Sequence, residues 1–273
     1  MKPAPIGIFD SGYGGLTVLK EIKSVLPQYD YLYLGDNARA PYGTRSFERV
    51  YKYSLEAVQW FFNQGCNLVI LACNTASAKA LRTIQQNDLP KMGPGKRVLG
   101  VIRPTAELIG TISQNGHVGV LATNGTVQSR SYIIEIQHFS PDIKISQEAC
   151  TMWVPLIENN EYNSEGAGYF VKKNIDNLMA KDADIDTILL ACTHYPLLLE
   201  QIKKYVAEGI NIIPQGEIVA KSLEDYLQRH PEIELNCSKN GLCHYYTTDD
   251  TTDFDSHAVN FLGETIKSVQ VRL

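Results

Sequence analysis

The chain has 273 residues, 44% of them hydrophobic and 20% charged, and a net charge of -5 at pH 7. That is an ordinary globular composition, with room for one large domain or two modest ones. Mild acidity without a long basic run argues against nucleic acid or an anionic membrane as main partner, and no apolar stretch reaches the ~20 residues of a spanning helix.

Met1 to Pro5 lead directly into strand-like Ile6-Gly-Ile-Phe, without a signal peptide's apolar stretch and cleavage site, so a cytoplasmic location is expected. Six cysteines with no CxxC pair make no disulfide framework. Cys237, Cys243 and His244 follow no metal-binding spacing, and no metal site is expected.

A buried strand is predicted over Ile6-Gly-Ile-Phe, ending at Asp10, followed by Ser11-Gly-Tyr-Gly-Gly and a helix from Leu16 to Leu26. The dinucleotide fingerprint GxGxxG begins at Gly12 and Gly14 but fails at Thr17, and an Asp10 carboxylate there would repel a pyrophosphate. Tyr31 to Asp36 reads as the next strand, and Ala40-Pro-Tyr-Gly-Thr-Arg45 as a turn-rich loop. Ser46 is a candidate cap for an amphipathic helix reaching about Gln64.

Leu68-Val-Ile-Leu-Ala-Cys-Asn-Thr75 is an unbroken apolar run that stops at Cys73, as suits a strand buried on both faces. A helix follows to about Gln86. Asn74, Thr75 and Ser77 are residue types that either cap a helix or bind a ligand. Residues 87–96 read as a loop, Val98 to Ile102 as a strand, and the segment from Pro104 as a helix with proline in its first turn. His117 to Ala122 is a strand that ends in Thr123-Asn-Gly-Thr126, with a helix from Ser129.

Cys150-Thr-Met-Trp-Val-Pro-Leu-Ile-Glu158 leads into a polar loop, and Glu165 to Met179 forms a helix. Thr187-Ile-Leu-Leu-Ala-Cys-Thr-His194 then repeats the Leu68 pattern, ending at Cys192. A helix over 196–207, a strand over 211–214 and a helix from Gly216 come next. The tail holds a strand over 241–247, an acidic loop, a helix and a strand. Asp249, Asp250, Asp253 and Asp255 lack the glycine and terminal glutamate of a calcium loop and read as solvated.

Asp10 precedes Cys73 much as Thr123 precedes Cys192, so the chain repeats a unit: a strand with a polar glycine turn, then a strand ending in Ala-Cys. The expected fold is α/β, with two similar doubly wound, Rossmann-like lobes on parallel sheets and a site in the cleft between them. Residues 1–97 with 209–273 form the first lobe and 98–208 the second.

Either cysteine alone would read as a buried core thiol. Two in the same local frame, just past strand ends where ligands bind such sheets, point to chemistry. One thiolate removes a proton from a carbon, and a thiol on the opposite face returns one. That inverts a stereocentre. Since few thiols are ionised at pH 7, each needs a helper, and Asp10 and His194 are the candidates. Ser11, the Tyr42-Gly43 turn, Asn74-Thr75 and Thr193 offer hydroxyls, an amide and backbone N–H groups that suit an amino acid.

Ile-Phe-Asp-Ser-Gly-Tyr-Gly-Gly-Leu-Thr, Pro-Tyr-Gly, Ala-Cys-Asn-Thr-Ala, Gly-Val-Ile-x-Pro, Trp-Val-Pro-Leu-Ile-Glu and Ala-Cys-Thr-His-Tyr-Pro-Leu occur in that order from about residue 6 to 199. Together they closely resemble the glutamate racemases of the cofactor-independent aspartate/glutamate racemase family. The resemblance implies Cys73 and Cys192 as the acid/base pair, Asp10 and His194 assisting, and Glu158 lining the site. It implies substrate contacts at Asp10, Ser11, Pro41, Tyr42, Gly43, Asn74, Thr75, Thr123, Thr193 and His194.

It implies no cofactor or metal, L- and D-glutamate as substrate and product, a role in peptidoglycan synthesis, a homodimer, and in some members activation by a cell-wall precursor. The sister aspartate racemases typically carry Glu where this chain has His194, which favours glutamate. Three readings compete: an aspartate or related racemase, an acidic amino-acid binding protein and a nucleotide-dependent oxidoreductase.

Overall fold

The computed structural model describes residues 3–273. Its strands in chain order are β1 (Ile6–Asp10), β2 (Tyr31–Gly35), β3 (Leu68–Leu71), β4 (Arg97–Gly100), β5 (His117–Ala122), β6 (Lys144–Ala149), β7 (Thr187–Ala191), β8 (Asn211–Pro214), β9 (Cys243–Thr247) and β10 (Ser268–Gln270). They form two sheets, ordered β10-β9-β2-β1-β3-β4 and β6-β5-β7-β8, with parallel pairing throughout the described residues. The chain divides into Met1–Val101 with Gly216–Leu273, and Ile102–Gln215. β4 thus lies with the first sheet and β8 with the second, so the expected divisions at 97/98 and 208/209 stand a few residues ahead of these.

The repeat is visible in the topology, because β2-β1-β3-β4 and β6-β5-β7-β8 have the same order. Register moves the landmarks by one position. Phe9 pairs with Leu71 and Leu121 with Leu190, so with the two Ala-Cys pairs superposed Ser11, not Asp10, corresponds to Thr123. Asp10 takes the place of Ala122. The first unit therefore carries a carboxylate where the second has a methyl group.

Buried on both faces, β1, β2, β3 and β7 are the continuous apolar runs expected of central parallel strands. In the first unit α1 (Gly15–Val25), α2 (Phe47–Asn63) and α3 (Asn74–Lys79) follow β1, β2 and β3. Ser46 caps α2, accepting a hydrogen bond from the Arg49 N–H.

Four segments differ from expectation. The helix after Cys73 breaks at Ala80, yet helical turns continue through Lys91, so the loop begins later than residue 87. Pro90 stands in the first turn of the last helical piece, where its missing N–H costs nothing. Thr123-Asn-Gly-Thr126 is no open turn: Thr123 caps a helix over Asn124–Ser129, and a second helix restarts at Ser131 beyond a left-handed Arg130. β6 was not expected, because it is a polar edge strand whose Glu148 binds Asn174, Asn177 and Lys181. In the tail Asp250 caps a helix over Thr251–Leu262, so Asp253 and Asp255 are helical rather than in a loop. Acidic residues at a helix start answer its unpaired N–H groups and dipole.

Candidate functional site

The first unit assembles a cysteine, a carboxylate and a hydroxyl from two adjacent strand ends. Asp10, fully buried at the tip of β1, accepts from the Gly12 N–H at 2.9 Å through Oδ2 and so folds the glycine turn back on itself. Tyr33 on β2 donates its hydroxyl to the Gly12 carbonyl at 2.9 Å. Burial and the nearby Asp10 and Cys73 push the Tyr33 phenol well above its ordinary pKa, so it stays a donor. The turn in this way delivers the Ser11 hydroxyl to 3.3 Å from Cys73 Sγ.

Cys73 itself is the N-cap of α3, its sulfur accepting from the Ala76 N–H at 3.5 Å. Asn74 and Thr75 follow it, both buried in the helix's first turn. Ser77 is structural. Its hydroxyl donates to the Leu71 carbonyl at 2.8 Å and accepts from the Val101 N–H at 3.3 Å.

Beyond the cis peptide at Pro41, Tyr42 is buried and its hydroxyl donates to the Asp36 carboxylate. Asp36 also accepts from Arg39 Nε at 2.7 Å and from the Thr248 hydroxyl at 2.9 Å. The Tyr42 phenol is thus occupied inside the unit. What this turn can offer a ligand is the backbone of Tyr42 and Gly43.

The second unit builds a relay. Cys192 follows β7, and His194 Nδ1 lies 3.9 Å from its sulfur. The far ring nitrogen of His194, Nε2, is 3.0 Å from Glu158 Oε1. Glu158 reaches it because its helix, Trp153–Glu158, is anchored at the other end: the buried Trp153 ring meets Tyr195 edge-on at 4.7 Å. Tyr195 in turn donates to the Cys150 carbonyl at 3.2 Å. Thr193 is buried between Cys192 and His194, while the Thr123 hydroxyl accepts from the Thr126 N–H at 3.3 Å.

Burial alone favours a neutral imidazole, but Cys192 and Glu158 outweigh it and hold His194 well above its ordinary pKa. His194 can therefore take a proton from the neighbouring sulfur or return one.

The other cysteines lack such surroundings. Burial pushes the thiol pKa of Cys66 up to about 12 and those of Cys237 and Cys243 to about 11, and Cys150 well above the ordinary value. They remain thiols at neutral pH. Cys237, Cys243 and His244 form no metal-binding group among the described residues. The group of His117, Asp182 and Asp184 already has Asp182 paired with Lys144.

Three supports escaped sequence reasoning. Tyr33 and Tyr195 act through backbone carbonyls distant in sequence, and no local pattern announces that. A third, Gly15, is explained by space: a Cβ there would stand 2.5 Å from the Asp10 Cβ.

The Glu158–His194 pair yields a pH prediction. A histidine whose folded pKa is raised contributes stability that is fully present below its unfolded pKa of about 6.5 and lost as pH rises through the folded value. Glu158→Gln removes one of the groups holding that value up. NMR titration of the His194 ring should show a lower midpoint in the variant, with the stability loss still beginning near the unfolded value but complete at a lower pH and smaller in total. An unchanged midpoint would remove Glu158 from the relay.

Residues 14–223 match the Asp/Glu/Hydantoin racemase family. A glutamate racemase of Geobacter metallireducens is 39% identical over 259 residues, covering 94% of this chain and 92% of that protein. The crystal structure of a glutamate racemase isoform from Bacillus anthracis superposes with a TM-score of 0.90 at 34% identity, covering 100% of this chain and 99% of that one. The glutamate racemase of Francisella tularensis, crystallised in complex with D-glutamate, gives 0.88 at 30% identity, covering 100% and 98%.

Proposed function

The chain belongs to the Asp/Glu/Hydantoin racemase family, and from that membership we propose that it is a glutamate racemase working by two-base proton transfer between Cys73 and Cys192. The observation that carries this reading is the pair of equivalent strand ends. Each unit presents one cysteine directly after Leu-Ala, in the same sheet position, with a polar side chain on its sulfur: the Ser11 hydroxyl in the first and the His194 imidazole in the second.

The reaction calls for one thiol on each face of the glutamate Cα. One sulfur, as thiolate, takes the α-proton. The other, as thiol, donates a proton to the opposite face, and the two protonation states are exchanged after each turnover. His194, braced by Glu158, moves protons to and from Cys192. On the other side Ser11 holds the Cys73 sulfur, and the Asp10 carboxylate shapes the turn and assists.

The α-proton of a free amino acid is only weakly acidic, so developing negative charge must meet preorganised donors. Asn74, Thr75, Thr193 and the Tyr42-Gly43 backbone fill that role for the carboxylates, with Pro41 and Thr123 at the margin. No step needs a cofactor or metal. The product, D-glutamate, serves peptidoglycan synthesis in the cytoplasm. A homodimer and activation by a cell-wall precursor belong to the same reading, and sedimentation and assays with such a precursor check them. No helix among the described residues is long and apolar enough to cross a membrane.

The test is racemisation in D2O, started separately from L- and D-glutamate, with circular dichroism and deuterium at Cα followed together. Loss of optical activity with deuterium entering the product is the expected result. Turnover of aspartate but not glutamate would move the protein to the sister activity. Tight glutamate binding without α-proton exchange, with or without the precursor, would make it a binding protein.

A further inference from the structure

Lys79 ends the helix that Cys73 caps, and only 7% of it is exposed. Its ammonium donates to the backbone carbonyl of Arg45 at 2.6 Å and stands 4.9 Å from the centre of the Phe47 ring. These are its partners among the described residues, and neither is a carboxylate. Burial accordingly draws its pKa below the ordinary lysine value. A buried ammonium without a counter-ion is costly, and an uncharged methionine of similar length would fill the space more cheaply. What the ammonium adds is a charge-assisted hydrogen bond to one particular carbonyl.

That carbonyl has a telling place. Arg45 closes the short helical turn Tyr42–Thr44, two positions past Gly43. The turn is thus fastened twice: from within by the Tyr42 hydroxyl on Asp36, and from α3 by Lys79 on the Arg45 carbonyl. Gly43 lies between the two fastenings and has no side chain of its own to hold it. We propose that Lys79 is a positioning residue, which locks the Tyr42-Gly43 backbone against the same helix whose first turn carries Asn74 and Thr75. This rests on the reading of those four residues as substrate contacts. Lys79 touches no reacting atom, so it acts on substrate affinity rather than on the proton transfers.

Hydrogen-exchange mass spectrometry without glutamate, followed by kinetics, tests this with Lys79→Met, which keeps the apolar stem, and Lys79→Arg, which keeps charge and donor. In Lys79→Met we expect faster exchange confined to residues 41–47, a KM raised about tenfold and a kcat within about twofold of the parent. Lys79→Arg should restore both properties. Unchanged exchange, or local loosening with unchanged KM, would overturn the proposal. So would loosening spread through the whole unit with kcat falling in step, since that is a purely structural role. Lys79→Gln supplies the same comparison if the methionine variant does not fold. Failure of the parent protein to racemise glutamate would strike the functional reading instead, because the exchange pattern is read without substrate.

Discussion

Replacing Cys73 or Cys192 by serine is expected to lower kcat for racemisation by about 10²–10⁴-fold in either direction, the range lost with a positioned acid or base. A serine hydroxyl is close in size to the thiol but far too weak an acid to alternate between charged and neutral forms at pH 7. The two substitutions should leave the fold in place, for reasons that differ. Cys73 caps α3 through its sulfur, and serine is among the best N-caps, so Cys73→Ser should hold or slightly raise the melting temperature. At Cys192 the effect falls on His194, which loses one of the groups that raise its pKa. Its titration midpoint should drop in Cys192→Ser while remaining unmoved in Cys73→Ser. Melting curves, kcat in both directions and the His194 NMR titration together check this. Retention of activity within tenfold by either variant would exclude the two-thiol mechanism.

Gly15→Ala is expected to damage both stability and activity, although it adds a single methyl group at the start of a helix, where alanine is normally favoured. The added Cβ would lie 2.5 Å from the Cβ and 2.9 Å from the Cγ of Asp10. Neither side yields cheaply: Asp10 is fully buried at the end of a central strand, and Gly15 opens α1. Overpacking of this kind costs about 1–3 kcal/mol. Displacing Asp10 also disturbs its bond to the Gly12 N–H and with it the turn that holds Ser11 against Cys73, and a shift of about 1 Å in such a constellation costs roughly 10²-fold in rate. Gly166→Ala is the control. Its added Cβ would meet nothing nearer than the Ser164 hydroxyl at 3.6 Å, within the helix Glu165–Lys181. It should be neutral or stabilising by up to about 1 kcal/mol. Equal melting temperatures and rates for the two variants would show that Gly15 is not reserved for Asp10.

The contrast between cysteines has the same origin. Cys66, Cys150, Cys237 and Cys243 are held as thiols by burial. Cys73 stands beside a serine hydroxyl and Cys192 beside an imidazole whose pKa Cys192 and Glu158 raise against its burial. All six are free thiols, and five are buried, so exposure does not separate the pair from the rest. Neighbours do.

The sequence by itself determined the two α/β halves, because parallel strands buried on both faces must be unbroken apolar runs, and Ile6–Asp10, Leu68–Leu71 and Thr187–Ala191 can be little else. It also determined where chemistry would sit, since polar residues directly after such strands stand at the end where these sheets bind ligands. Cys73, Asn74 and Thr75 do follow β3, and Cys192, Thr193 and His194 follow β7, as that pattern predicts.

Whatever depends on pairing across long sequence separations was decided only by tertiary structure. The polar strand Lys144–Ala149 exists because a sheet edge tolerates polar side chains, which no local apolar pattern reveals. Ser11 rather than Asp10 matches Thr123 because strand register, set by backbone hydrogen bonds, decides which residue clears the sheet first. The Tyr42 hydroxyl, free by type to meet a ligand, is tied to Asp36, which leaves the turn's backbone for that role, while Lys79, outwardly a surface residue, is buried against the Arg45 carbonyl. A side chain's type limits the bonds it can make. Only the packed neighbours decide which of them it makes.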